Sequence, residues 1–293
     1  MPEAAAMPPP PKPGAWRGTG FEFIFPRPAV VMGILNVTPD SFSDGGRFVH
    51  LDAAVEQARQ MVASGAEIID VGGESTRPNA ALVSEAEEID RVAPVIAAIR
   101  GQLDALVSID TQKPAVARAA LQAGASIIND IAANRESPEM WEIVAGAGAG
   151  YVAMHMQGSP QTMQDAPHYD DVVAEVREFF ADRLDRFRRA GMSDEQTVLD
   201  VGIGFGKTLE HNLQLLASLR AFTNFQRPQL LGVSRKSLFA KLLGLELDDR
   251  LAPGVAVATW AVLNGVQLLR VHDVGPTVNG LRAVEAIVGK SGS

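Results

Sequence analysis

The stretch LVSIDTQKPAVARAALQAGASIIND, residues 106–130, decides the fold. It opens with a short β-prone run, Leu106–Asp110, that ends in a carboxylate. A polar turn and Pro114 follow, and Ala115–Ala123 then repeat small apolar residues at helical spacing. A glycine-bearing turn leads into a second run, Ser126–Asp130, which again ends in polar residues. Runs that are apolar almost throughout belong to strands buried on both faces, and strands joined through a helix lie parallel.

The same unit recurs in both directions. Val30–Asn36 and Glu67–Gly72 precede this stretch, and Tyr151–Met156, Thr197–Gly202, Gln229–Ser234 and Gln267–Asp273 follow it. Helical patterns lie between them, as at Leu51–Ala63, Val172–Ala190 and Val255–Leu263. Eight such units within about 250 residues predict an α/β chain folded as a (β/α)8 TIM barrel. An open doubly wound sheet is the alternative, but it would carry a glycine fingerprint after its first strand. Residues 19–293 form the barrel domain in this reading, and Phe21–Phe25 alternates well enough for a short strand over the closed end. Residues 1–18, with Pro8–Pro11 and Pro13, read as a disordered tail, since proline suits neither helix nor central strand.

The strand ends carry the chemistry. Asn36, the run Gly72–Arg77, Asp110, Asn129-Asp130, His155, Asp200, Ser234-Arg235-Lys236 and Arg270-Val271-His272-Asp273 all fall at one end of the predicted strands. Together they converge on one mouth, where barrel enzymes hold their active sites. Single residues keep plainer readings. Asp110 could cap the helix near Pro114, Asn129-Asp130 could form an Asx-turn, and His155 reads as a satisfied core histidine. Asp200 sits in an apolar run with no helix close behind, so it needs a cation or ligand donors; Lys236 and Arg270 lie across the mouth. The period of two puts Arg270 and His272 on one side of their strand, as an anion cradle.

Composition narrows the class. With 293 residues, 46% hydrophobic and 21% charged, the chain is an ordinary globular one. A net charge of -9 argues against wholesale neutralisation of nucleic-acid phosphates, yet allows a locally positive pocket for a small anion. The absence of cysteine removes disulfides, thiolate metal sites and thiol nucleophiles. Neither a membrane-spanning run nor a basic, apolar leader is visible, so a cytoplasmic protein is expected. Gly202–Thr208 ends in Gly206-Lys207-Thr208 like a phosphate-binding P-loop, but Val201 stands where that motif needs glycine.

Two long segments resemble the signatures of the dihydropteroate synthase family: Met32–Gly46, reading MGILNVTPDSFSDGG, and Gly65–Pro78, reading GAEIIDVGGESTRP. Shorter matches follow in order at Ser108–Thr111, Asn129-Asp130, His155-Met156, Gly202–Thr208, Ser234–Ser237 and Arg270–Asp273. The resemblance covers about residues 30 to 282. It implies a sulfonamide-targeted, homodimeric, pterin-binding transferase of folate synthesis, joining (7,8-dihydropterin-6-yl)methyl diphosphate to 4-aminobenzoate with release of diphosphate.

Carried over residue by residue, the resemblance implies a catalytic set of Asn36, Asp44, Arg77, Lys236, Arg270 and His272. Asp110, Asn129, Asp200 and Lys236 would bind the pterin, Arg270 would cover it, and Arg270 and His272 would meet the diphosphate. Thr76 would also contact the diphosphate, and Arg77 and Pro78 the aminobenzoate, with Phe205, Ser237 and Val271 completing the substrate contacts. Mg²⁺ is the implied cofactor, held by Asn36. The segments Asp40–Phe48 and Gly72–Pro78 are read as mobile loops that close over the reaction. The chain departs from the family at Val201, Ala132-Ala133 and Pro253-Gly254, none of them an assigned ligand position. A corrinoid-dependent methyltransferase and a silent pterin-binding paralogue are the competing readings; the first does not need the diphosphate-binding residues.

Overall fold

The computed structural model describes residues 13–38, 47–75, 82–133 and 137–289. Eight parallel strands close a barrel: β3 (Val30–Asn36), β4 (Ile68–Gly72), β5 (Leu106–Asp110), β6 (Ile127–Asp130), β7 (Gly150–Met154), β8 (Thr197–Asp200), β9 (Gln229–Leu231) and β10 (Leu268–Val271). The ring shuts where β10 pairs with both β9 and β3, so the open-sheet alternative is excluded. The helices are α1 (Arg47–Ala63), α2 (Glu85–Gln102), α3 (Pro114–Gln122), α4 (Glu139–Ala147), α5 (Val172–Arg189), α6 (Leu209–Ala217), α7 (Leu238–Leu243), α8 (Leu251–Leu263) and α9 (Val274–Val288). Among the described residues, no helix is long and apolar enough to cross a membrane.

Each strand alternates between two cores. Val31, Leu35, Ile69, Val71, Val107, Ile109, Ile128 and Leu269 face outward into the layer beneath the helices. Val30, Met32, Ile68, Ile127, Val152, Val198, Leu230 and Leu268 face inward and fill the lower barrel. Burial on both sides is why the strands read as nearly unbroken apolar runs.

The closed end is plugged by an antiparallel hairpin of β1 (Ala15–Gly18) and β2 (Phe21–Ile24). Its Trp16 and Phe23, with Phe25 just beyond, join the inward apolar layer, and the Trp16 indole Nε1–H donates to the Gln196 carbonyl at 2.9 Å. The strand expected at Phe21–Phe25 is therefore present as β2, over the closed end. The expected tail boundary at residue 18 needs correction, because Ala15–Gly18 pairs with β2 and is structured. Its pairing partner, rather than local propensity, makes it a strand.

Several predicted strands run past their observed ends. β9 stops at Leu231 and β10 at Val271, leaving Ser234 and His272 in the loops above the barrel. The ladder bonds give out there as the chain turns toward the next helix; on β7 one further bond, from His155 N to the Asp200 carbonyl, prolongs it slightly.

Candidate active site

Two residues above the inward apolar layer, the same faces become polar. Ile68 is followed by Asp70 and Gly72, Leu106 by Ser108 and Asp110, Ile127 by Asn129, Val198 by Asp200, and Leu268 by Arg270 and His272. The mouth is thus lined from several strands by one parity rule. Gly72 and Gly232 lie in this ring without side chains and leave it open. A Cβ at Gly72 would find its nearest neighbours at Asn36 Oδ1, 3.5 Å, and the Asp110 side chain, 3.7 Å.

Arg270 organises the centre. Its Nε donates to Asp70 Oδ2 at 2.6 Å, and Nη2 donates to Asp110 Oδ2. Asn129 Nδ2 donates to the same Asp70 oxygen at 3.1 Å. The remaining oxygens, Asp70 Oδ1 and Asp110 Oδ1, are buried and have no hydrogen-bond partner among the described residues. Buried acceptors without donors are costly, so both oxygens mark places for the N–H groups of a ligand.

Burial pushes the Asp110 carboxyl up to about 7; Arg270 opposes this, and Asp70 adds to it by like-charge repulsion. Burial works against the Arg270 charge, but Asp70 and Asp110 outweigh it and hold the guanidinium above its ordinary range. Asp200 is also raised by burial, with Lys236 the main opposing charge, and its Oδ1 accepts from Gly202 N at 2.8 Å. Lys236 is lowered to about 8 by burial, partly offset by Asp200. The Lys236 ammonium donates to the Ile203 carbonyl and stands 4.7 Å from the centre of the Phe205 ring.

Above Arg270, His272 is held by Ser234, whose Oγ accepts from His272 N at 3.2 Å and lies 3.1 Å from Nδ1. Arg235, in the left-handed region at φ 58°, forms a two-pronged ion pair with Asp273 at 2.5 and 2.9 Å. These contacts bind the segment after β9 to the end of β10.

Asp110, Asn129, Asp200, Lys236 and Arg270 are therefore brought together, with Asn36 exposed at the rim, and Phe205 and His272 beside them. Ser237 is exposed at the start of α7, on the mouth side. Val271 needs correction: it is buried in the outer layer against the helices, because it lies one residue from the inward-facing Arg270. Asp44, Thr76, Arg77 and Pro78 lie outside the described residues, as do most of the two loops read as a lid.

The plainer readings also sort themselves. Asp110 does not cap α3, whose N-cap is Lys113 with no side-chain bond. Asp130 takes the Asx-turn, accepting from Ala132 N at 2.9 Å and from the Tyr151 hydroxyl at 2.6 Å, and this leaves Asn129 for the mouth. His155 is a buried core histidine. Among the buried charges that were not assigned to the site from sequence are Asp70 and Lys207. Asp70 was detectable, since a carboxylate on the inward parity of Ile68-Ile69-Asp70-Val71-Gly72 cannot face the helices. Lys207, wholly buried, gave no such sign.

Residues 32–272 match the profile of a family described as pterin binding enzyme. The chain is 49% identical over 270 residues to dihydropteroate synthase of Escherichia coli K12, covering 92% of this chain and 94% of that one. It also resembles two solved structures. One is Yersinia pestis dihydropteroate synthase in a sulfonamide drug complex, at a TM-score of 0.87 and 46% identity, covering 94% of this chain and 99% of that one. The other is Xanthomonas albilineans dihydropteroate synthase with 4-aminobenzoic acid, at a TM-score of 0.87 and 43% identity over the same shares.

Proposed function

Since the chain belongs to the pterin-binding enzyme family, with the fold and activity of its dihydropteroate synthases, we propose that the polar ring above β4, β5, β6, β8 and β10 is its pterin pocket. The enzyme is a transferase that joins (7,8-dihydropterin-6-yl)methyl diphosphate to 4-aminobenzoate, giving dihydropteroate and diphosphate. The observation that carries the site assignment is the pair of donorless buried oxygens on Asp70 and Asp110. A pterin edge offers amino and ring N–H donors beside a carbonyl acceptor. Carboxylates, the Asn129 amide and the Lys236 ammonium complement that pattern.

Arg270 sits beneath this edge and His272 one period higher, so the diphosphate lies toward the rim, where developing negative charge meets cations. Departure of diphosphate leaves positive charge on the exocyclic carbon, which the electron-rich pterin delocalises. The arylamine nitrogen attacks that carbon and then releases its proton; being neutral near pH 7, the amine needs no strong base. Thr76, Arg77 and Pro78 complete the diphosphate and aminobenzoate contacts in this reading, with Asp44, Phe205 and Ser237 contributing. The exposed amide oxygen of Asn36 suits Mg²⁺, a hard ion that takes most of its oxygens from water and substrate phosphate. When bound, the ion would neutralise charge on the leaving diphosphate.

A second copy of the chain would fit the apolar face of α8, where Leu251, Trp260 and Leu263 are exposed; Ile287 and Val288 are also exposed on α9, which packs against α8. The cysteine-free composition suits the cytoplasm. The test of function supplies the pterin diphosphate, Mg²⁺ and 4-aminobenzoate and follows diphosphate. Release that depends on the arylamine is the expected result; tight pterin binding with no turnover would leave only a binding protein.

A further inference from the structure

The segment between β8 and α6 turns through three glycines with positive φ, Gly202, Gly204 and Gly206. A Cβ at Gly202 would collide with the His155 carbonyl, so the loop lies backbone against backbone on the end of β7. Such a contact buries carbonyls that need donors, and each of those from Gly202 to Gly206 has one. Lys207 Nζ donates to the carbonyls of Phe205 at 2.9 Å, Gly202 at 3.0 Å and His155 at 3.3 Å, and lies 3.0 Å from His155 Nδ1. Gln164 serves the Gly204 carbonyl at 2.7 Å, and the Tyr169 hydroxyl serves Gly206 at 2.9 Å. The Ile203 carbonyl turns the other way and accepts from Lys236.

The loop therefore has two faces and an ammonium on each. Lys207 lies inside, 1% exposed, and Lys236 lies at the mouth with the Phe205 ring against it. We propose that Lys207 is a positioning residue for the condensation: its buried ammonium gathers the inward carbonyls of this loop and so fixes the outward edge that holds Lys236 and Phe205. The inference rests on the reading of the mouth as the pterin site. Lys207 touches no reacting atom and acts through its neighbours.

Its charge is also felt at the mouth. Burial lowers Lys207 to about 7, Asp200 opposes that shift and Lys236 adds to it. Asp200 in turn is raised by burial and drawn down by Lys236, Gly202 N–H, Lys207 and Arg270. Beside it lie His155, kept neutral by burial and by Lys207, His211 on α6, lowered by burial, Lys207 and His168, and Tyr169, raised by burial. Loss of the Lys207 charge therefore raises the Asp200 carboxyl, which moves the acid limb of pterin binding to higher pH.

The experiment measures affinity for the pterin diphosphate with Mg²⁺ but no arylamine, against pH, for the wild type, Lys207→Met, Lys207→Gln and Asp200→Asn. Lys207→Met should bind about tenfold more weakly at neutral pH, and both Lys207 variants should show the displaced acid limb. The Gln variant, which keeps two donors for the carbonyls, should lose less affinity while showing the same displacement. A lower melting temperature with wild-type affinity and an unmoved limb overturns the proposal, and so does failure of both variants to fold, since the lysine then serves folding alone. If Asp200→Asn binds like wild type, the pterin-site reading itself fails. If Asp200→Asn loses binding while the Lys207 variants keep it, only the present inference falls.

Discussion

Asp70 and Arg270, 200 residues apart in the chain, meet inside the barrel with Nε donating to Oδ2 at 2.6 Å. Asp70 is fully buried, and the same oxygen also takes the Asn129 amide, so one carboxylate orients two groups of the mouth. Asp70→Ala should leave the barrel folded, because Asp110 still pairs with Arg270. It should cost activity heavily, since a buried guanidinium and an amide lose their common partner. The expected loss in kcat/KM is about a hundredfold or more, measured by diphosphate release. A fall below threefold would show that Asp70 does not organise the site.

Two buried groups should give pterin binding a bell-shaped pH dependence. Burial raises the Asp110 carboxyl to about 7, so it gains a proton as pH falls through that value and stops accepting from ligand N–H groups. Lys236 is lowered to about 8, so it loses its charge as pH rises past that point. Affinity should decline on both sides of a narrow optimum, approaching about tenfold per unit well outside each limb. Asp110→Asn should weaken binding and remove its part of the acid limb near pH 7, leaving the part set by the raised Asp200 and the alkaline limb; calorimetry across pH 5.5 to 9.5, a range set by limbs about 1.5 units from each pKa, would decide.

The sign for stability is opposite on the acid side. A carboxyl raised in the folded state contributes stability that is complete below its unfolded pKa of 3.8 and is lost as pH rises through about 7. The unliganded protein should therefore lose part of its stability between those values, and Asp110→Asn should flatten that slope in a series of melting curves.

Two glycine substitutions separate room for ligand from room for the fold. Gly72→Ala adds a Cβ whose nearest atom is 3.5 Å away, an ordinary contact, so the melting temperature should change by no more than about 2 °C. That methyl occupies the mouth, and pterin affinity should fall about tenfold. Gly202→Ala meets both a positive φ of 69° and the His155 carbonyl, and should destabilise the protein by about 3 kcal/mol or more. Equal effects of the two on stability would contradict this division.

Much of this was legible beforehand, and the reasons for success and failure are physical. Strand β5, at Leu106–Asp110, has the bounds that its pattern predicts, because burial on both faces leaves an apolar run broken only by Ser108 before the terminal carboxylate. Asn129 was chosen over Asp130 through the family motif, and its inward parity, with Asp130 taken by an Asx-turn, agrees with that choice. Val271 was assigned to the substrate through a motif, although its parity opposes that of Arg270. Strand β1 escaped notice because four residues beside a proline-rich segment owe their conformation to β2. Lys207 escaped because its partners are backbone carbonyls, which leave no trace in the side-chain pattern.

The hairpin under the barrel also makes a prediction. Trp16 is fully buried and should cost about 3 to 5 kcal/mol on replacement by alanine, read from denaturant unfolding. The Michaelis constants of the surviving folded fraction should stay within about twofold of wild type, because the plug lies beyond the apolar layer from the mouth.

That plug makes the barrel a room with a single door. If the polar ring is the pterin pocket, the occupant that reaches Asp70 should arrive before whatever rests nearer the rim, and the product should leave through the same opening. On the proposed assignment of the mouth, the order of entry would thus be set by a tryptophan and two phenylalanines of the inward apolar layer. A cork at the back sets the queue at the front.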